Sequence, residues 1–230
     1  EKFTMKLKKI ASLMLAGVMA VSMLTACGEG NPAPENPGEG ENNNTASGYS
    51  AMLGEKAADT LDKADNADLF TFADNADDQK ALESVIREEV SQATLLKYVE
   101  NQTVNHYVTG KNNFQAIYES FEDKAGLNTA RPFGGKFWED NNVTINTDKL
   151  GDVWVANGNI SMDNVMNTIF EAYKNGFKNE DGEATWQNVD LALHYDVAVS
   201  VVNVPLSAYN ENTGSVNFIA VTVTRTADYV

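Results

Sequence analysis

The chain is short of the residues that carry most protein chemistry, with one cysteine, two histidines and five prolines among 230 residues. A single cysteine at position 27 excludes an intrachain disulfide, a multi-thiolate metal site and a cysteine nucleophile in anything folded downstream. Only His106 and His194 have side chains whose ordinary titration falls near neutral pH. Basic residues are scarce too, with 17 Lys and Arg against 33 Asp and Glu and a formal charge of -16. Such a surface repels phosphate backbones and anionic headgroups, which argues against DNA or RNA as a partner. A Gly-rich phosphate loop, a G-x-S-x-G elbow and an H-E-x-x-H helix are all missing, and nothing in the sequence calls for a cofactor.

The N-terminal segment carries the strongest signal. Lys6, Lys8 and Lys9 form a basic cluster, Ile10 to Leu24 carry no charge, and Leu24-Thr25-Ala26-Cys27 closes the run. The uncharged stretch is shorter than the roughly 20 residues of a comfortable membrane span and ends in small residues, as a processing segment does. Cations before it stay on the cytoplasmic side. These residues resemble the signal peptide and lipobox of bacterial lipoproteins. The resemblance implies cleavage between Ala26 and Cys27, a diacylglyceryl group on the Cys27 thiol and acylation, for example by palmitate, of the new amino terminus. Two or three acyl chains anchor a protein stably where one is marginal. Residues 1–26 are thus expected to be a signal peptide, and the location a cell membrane, lipid-anchored, facing the extracellular side or the periplasm. Met5 is the expected natural start.

Removing residues 1–26 takes away four basic residues and one acidic one, leaving 13 against 32 and a formal charge of -19. Solubility at a cell surface is the first meaning of that acidity, and cationic partners or calcium the second. Residues 27–48 are expected to be the lipidated cysteine and a disordered acidic tether. Gly, Pro, Glu and Asn dominate it, apolar side chains are almost absent, and it cannot bury enough surface to offset its chain entropy. Pro32, Pro34 and Pro37 stiffen it and the glutamates extend it, over tens of ångströms.

Residues 49–230 are long enough for one domain that buries about 70% of its unfolded surface. Met52, Leu53, Ala57 and Leu61 predict a helix over about 50–63. Ala64-Asp65-Asn66-Ala67-Asp68 returns as Ala73-Asp74-Asn75-Ala76-Asp77, and the Asp and Asn of 64–78 suit turns and caps better than calcium, since a calcium loop's glycine and distal glutamate are lacking. Further helices are expected from Asp77 or Asp78 as cap to about Tyr98, from Asn112 or Asn113 to Gly126, and from Ser161 or Asp163 through Phe177. Val143 and Ile145, then Val153 and Val155, with Asp148-Lys149-Leu150-Gly151 as the turn, suggest a hairpin. From Val189 to Val201 odd positions are apolar, whereas Asp190, His194, Asp196 and Ser200 point the other way. Pro205 ends that strand, and Val216 to Thr224 return it. The fold class is α+β, a mostly antiparallel sheet packed with about four helices, in the manner of an α-β-α sandwich.

The candidate catalytic inventory is His106, His194 and Asp196. His194 shares a polar strand face with Asp190 and Asp196, so a carboxylate could hold its imidazole, although strand alternation alone would also place these residues there. Trp138, Trp154 and Trp186 could offer stacking surfaces for sugars or serve as packing. The order of a His-containing segment, a helix ending in Ala125-Gly126-Leu127, a helix after Gly158-Asn159-Ile160-Ser161, and Val197-Ala198-Val199-Ser200-Val201-Val202 before a final strand resembles bacterial members of the CAP superfamily, or SCP-like extracellular domains, over about residues 80–225. That resemblance implies a cleft of two histidines and two acidic residues, of which only His106 has a counterpart. The glutamate motif is replaced by Gly134-Gly135-Lys136, and no G-H-x-x-N occurs. Two functions follow: a domain that binds an extracellular ligand or protein, or an SCP-like domain acting as a degenerate or unusual hydrolase.

Overall fold

The computed structural model describes residues 48–92, 95, 104–106, 115–130, 137–138, 147–206 and 214–230; the side chains of 106, 129 and 130 are not among what it describes. Among the described residues four helices, α1 (Tyr49–Ala64), α2 (Ala76–Glu89), α3 (Gln115–Ala125) and α4 (Met162–Asn179), and seven strands can be bounded. The strands are β1 (Phe70–Phe72), β2 (Val104–His106), β3 (Thr129–Ala130), β4 (Asp148–Asn157), β5 (Glu183–Trp186), β6 (Val189–Pro205) and β7 (Ser215–Tyr229). They form one sheet in the order β1-β6-β7-β4-β2, with β5 also on β6 and β3 also on β4. Among the described strands only β1 on β6 and β3 on β4 pair in parallel. The long β6–β7 ribbon, in register from Leu191 opposite Tyr229 to Pro205 opposite Ser215, is its spine.

Side chains alternate across the sheet and build a core on each face. On one side Leu150, Trp154, Ala156, Leu193, Tyr195, Val197, Ile219, Val221 and Val223 meet α1 and α4. On the other, Val153, Val155, Val216, Phe218 and Ala220 meet α2 and α3. The fold is therefore α+β, with a mixed, mostly antiparallel sheet between two helical layers. Packing holds α4 in place. It buries Val165, Met166, Ile169, Phe170, Tyr173 and Phe177, each worth about 1.5–3 kcal/mol. Its Ser161 cap, accepting from Asn164 N at 3.4 Å, is worth about 1.

The structure corrects several local expectations. Asp148-Lys149-Leu150-Gly151 is no hairpin turn but the first part of β4, paired residue by residue with β7. Gly151 serves close packing there: a Cβ at this position would lie 2.6 Å from Leu127 Cδ1. Val143 and Ile145 lie outside the described residues. The α2 cap is Asn75, whose Oδ1 accepts from Asp77 N and Asp78 N, and the helix stops at Glu89 because Val90 is extended. Between the two copies of the Ala-Asp-Asn-Ala-Asp repeat, Phe70-Thr71-Phe72 form β1, a strand that the sequence reading does not predict. The flanking repeat is committed to holding the fold. Asp65 closes α1 at φ 61°, Asn66 Nδ2 donates to Glu180 O at 3.0 Å, and Asp74 accepts from Gly48 N and Ser50 N. Among the described residues no group of three or more His, Cys, Asp or Glu could hold a metal.

Candidate functional site

His194 and Asp196 stand on β6, facing the side of the sheet that α2 and α3 cover farther along. The period of two puts them together, and the parallel pairing of β1 adds a residue that no sequence pattern indicated. Thr71 lies opposite Asp196 in register, and its Oγ1 is 2.8 Å from His194 Nε2. Asp196 Oδ1 is 3.7 Å from that same nitrogen. A catalytic relay needs one imidazole nitrogen toward the hydroxyl and the other toward the carboxylate. Here both partners address Nε2, so the trio can hold the ring but cannot pass a proton from hydroxyl through imidazole to carboxylate. Asp190, the other acidic neighbour, is instead reached by Thr185 Oγ1 at 3.3 Å. His106 forms the end of β2, opposite Trp154 of β4, and β4 and β7 stand between it and β6, so the two histidines belong to different regions. Its side chain, like Cys27, lies outside the described residues.

The setting of His194 is more informative than the trio. In the middle of β6, from Val197 to Ser200, both faces are covered, and Ala198 and Ser200 are buried against expectation for a solvent-facing row. In the first half only one face is. Asp190, Ala192 and Asp196 are exposed there, as are Glu183 and Thr185 of β5 and Asp228 of β7, while Thr224 and Thr226 are half-buried. The result is an open, threonine-bearing acidic sheet surface, with the chain entering on the opposite side through α1, where Val199 N donates to Ser50 Oγ at 2.8 Å.

The tryptophans are not a groove. Trp138 and Trp154 are 5% and 2% exposed, which removes both as stacking platforms for sugars; Trp186 is half-buried on β5. Trp138 stacks under Arg225, whose guanidinium carbon lies 4.7 Å from the ring centroid and whose Nη2 donates to Asp148 Oδ2 at 2.7 Å. Beside it, Tyr195 donates to Asp181 O at 2.9 Å and Glu180 Oε2 at 3.2 Å, and burial pushes its phenol above the ordinary range. Trp154 Nε1 donates to Tyr173 OH at 2.6 Å, and Tyr173 OH donates to Asp152 Oδ2 at 3.3 Å. Burial drives the Asp152 carboxyl up to about 8, against hydrogen bonds from Val153 N and Tyr173 that favour its charged form.

Compared with family models, curated proteins and solved structures, the chain finds no match.

Proposed function

We propose that this chain is a membrane-anchored bacterial lipoprotein whose acidic α+β domain binds an extracellular ligand or protein through the open half of its sheet. The observation that carries the binding reading is that surface. The same two strands that are buried on both faces near Val199 expose Asp190, Ala192 and Asp196 on one face at their other end. Sheet left uncovered at a pole with exposed polar residues is free to meet a partner, and its negative charge favours a cationic one. The anchor half of the proposal is supported by Leu24-Thr25-Ala26-Cys27 and the apolar run before it.

Each half has its own test. Cys27→Ser should abolish lipid labelling, change the mature mass and release the protein from the membrane fraction; unchanged mass and retention in the membrane would sink the anchor. For the domain, peptide and glycan arrays are probed with the full chain and with Asp190→Lys/Asp196→Lys. Signals that vanish in the double variant support the open face, whereas an absence of signals, or signals that survive the charge reversal, reject it.

A second reading, an SCP-like domain acting as a degenerate or unusual hydrolase, draws on the contact between His194 and Thr71. It requires that hydrolysis of cell-wall peptide or glycan substrates be present in the wild type and lost in His194→Ala.

A further inference from the structure

Asp152 is an anomaly in an otherwise well-partnered interior. It sits on a central strand, 2% exposed, in the layer between the sheet and α4. Among the described residues its oxygens meet only Val153 N at 2.8 Å and Tyr173 OH at 3.3 Å. Among the described residues no cation pairs with it. The charged and titratable groups on the elements around it are otherwise committed or distant. On β4 and β7, Asp148 and Arg225 pair with each other. On β6, Tyr195 is bonded to Glu180, which follows α4 and also accepts from Phe137 N. On α4 the facing group is Tyr173 itself, and on β2 His106 occupies the register position opposite Trp154. In α1, Lys56 is held by Asp163.

A carboxylate taken out of water without a counter-ion is strongly disfavoured, and the usual escape is to remain protonated. We infer that Asp152 makes the seating of α4 on the sheet respond to pH, firm while the carboxyl is neutral and loosened when it ionises. The chain Trp154 to Tyr173 to Asp152 joins the strand to the helix, so charge at its end acts on that interface rather than on a surface loop. In the unfolded chain the carboxyl ionises near 3.8, and in the folded chain near 8. Between these values the folded state holds a proton that the unfolded state has lost, so raising the pH shifts the balance toward unfolding. The contribution is fully present below about pH 4, falls through the interval and levels off above about 8.

The test is thermal unfolding of the full chain from pH 5 to pH 9, wild type against Asp152→Asn, with hydrogen exchange of α4 recorded at both ends. The wild type should lose on the order of 10 °C more than the variant across that span, and exchange in α4 should quicken at pH 9 by more than the chemical rate alone, in the wild type only. Parallel pH slopes in the two proteins overturn the proposal. If the asparagine variant does not fold, the carboxyl carbon of Asp152 is titrated by NMR in the wild type. A midpoint above about 7 upholds the proposal and one near 4 overturns it.

Discussion

Two buried aspartates lie on opposite faces of this sheet and are treated in opposite ways. Asp78, 1% exposed at the start of α2, accepts from Lys149 Nζ and from Thr222 Oγ1 at 2.7 Å, and Lys149 also donates to Ala125 O at 3.0 Å. That network ties α2 and the end of α3 to β4 and β7. Asp152, only three residues beyond Lys149 and on the other face, has a phenol and a backbone amide. Burial is the same for both carboxyls, and the difference is the counter-ion. A buried carboxylate with a cation and a full set of donors is tied into the framework, whereas one with weak neutral donors becomes a group whose charge depends on the medium.

The sharpest way to break this comparison is to make the first aspartate resemble the second. Lys149→Met keeps the stem that packs against the sheet and removes the ammonium, stranding Asp78 with Thr222 as its side-chain donor. Breaking one member of a buried pair costs about 3–5 kcal/mol. Chemical denaturation should show that loss at neutral pH and recover part of it on acidification, since a stranded carboxylate can then be protonated. An unchanged midpoint would mean that the pair contributes nothing to holding α2 and α3.

Next in size is Tyr173→Phe, which removes the hydroxyl that Trp154 reaches at 2.6 Å and that Asp152 accepts from. Weakening hydrogen bonds among buried groups costs about 1–3 kcal/mol. Because the lost donor favoured the charged form of Asp152, which ionises near 8 in the folded chain, the penalty should grow as the pH rises through that value, from pH 7 to pH 9. A cost that is the same at both ends would show that the hydroxyl matters for Trp154 alone.

How much of this could be read from the residues differs by element. The α1 stripe Leu53, Ala57 and Leu61, the α4 stripe and the odd-numbered row of β6 were legible because each buries one face of a periodic element. Asp148 to Gly151 was misread because Asp, Lys and Gly signal turns locally, while here Asp148 meets Arg225 across β4–β7 and Gly151 makes room for Leu127. Those partners are 77 residues and 24 residues away, beyond any local pattern. For the same reason β1 stayed hidden, since three residues carry no period and their pairing with β6 is a property of the whole chain. Of the candidate site, the neighbourhood of His194 and Asp196 was legible from alternation. Thr71 and the truncated helical cover were not, because they depend on where α2 ends and which strand takes the sheet's edge.

The smallest expected effect separates surface from framework most cleanly. His194 and Asp196 keep 40% and 56% of their side-chain area exposed, with 3.7 Å between the charged atoms. Pairs of that kind contribute little after screening and side-chain entropy. Asp196→Ala should therefore change stability by no more than about 0.5 kcal/mol, a tenth of the upper value expected at Lys149. If stability holds while array signals fall, the carboxylate is present for a partner and the open face is a working surface. A loss of stability comparable to that of Tyr173→Phe would instead make Asp196 part of the framework that holds β1 against β6, and the open half of the sheet would lose its claim to be spared for binding.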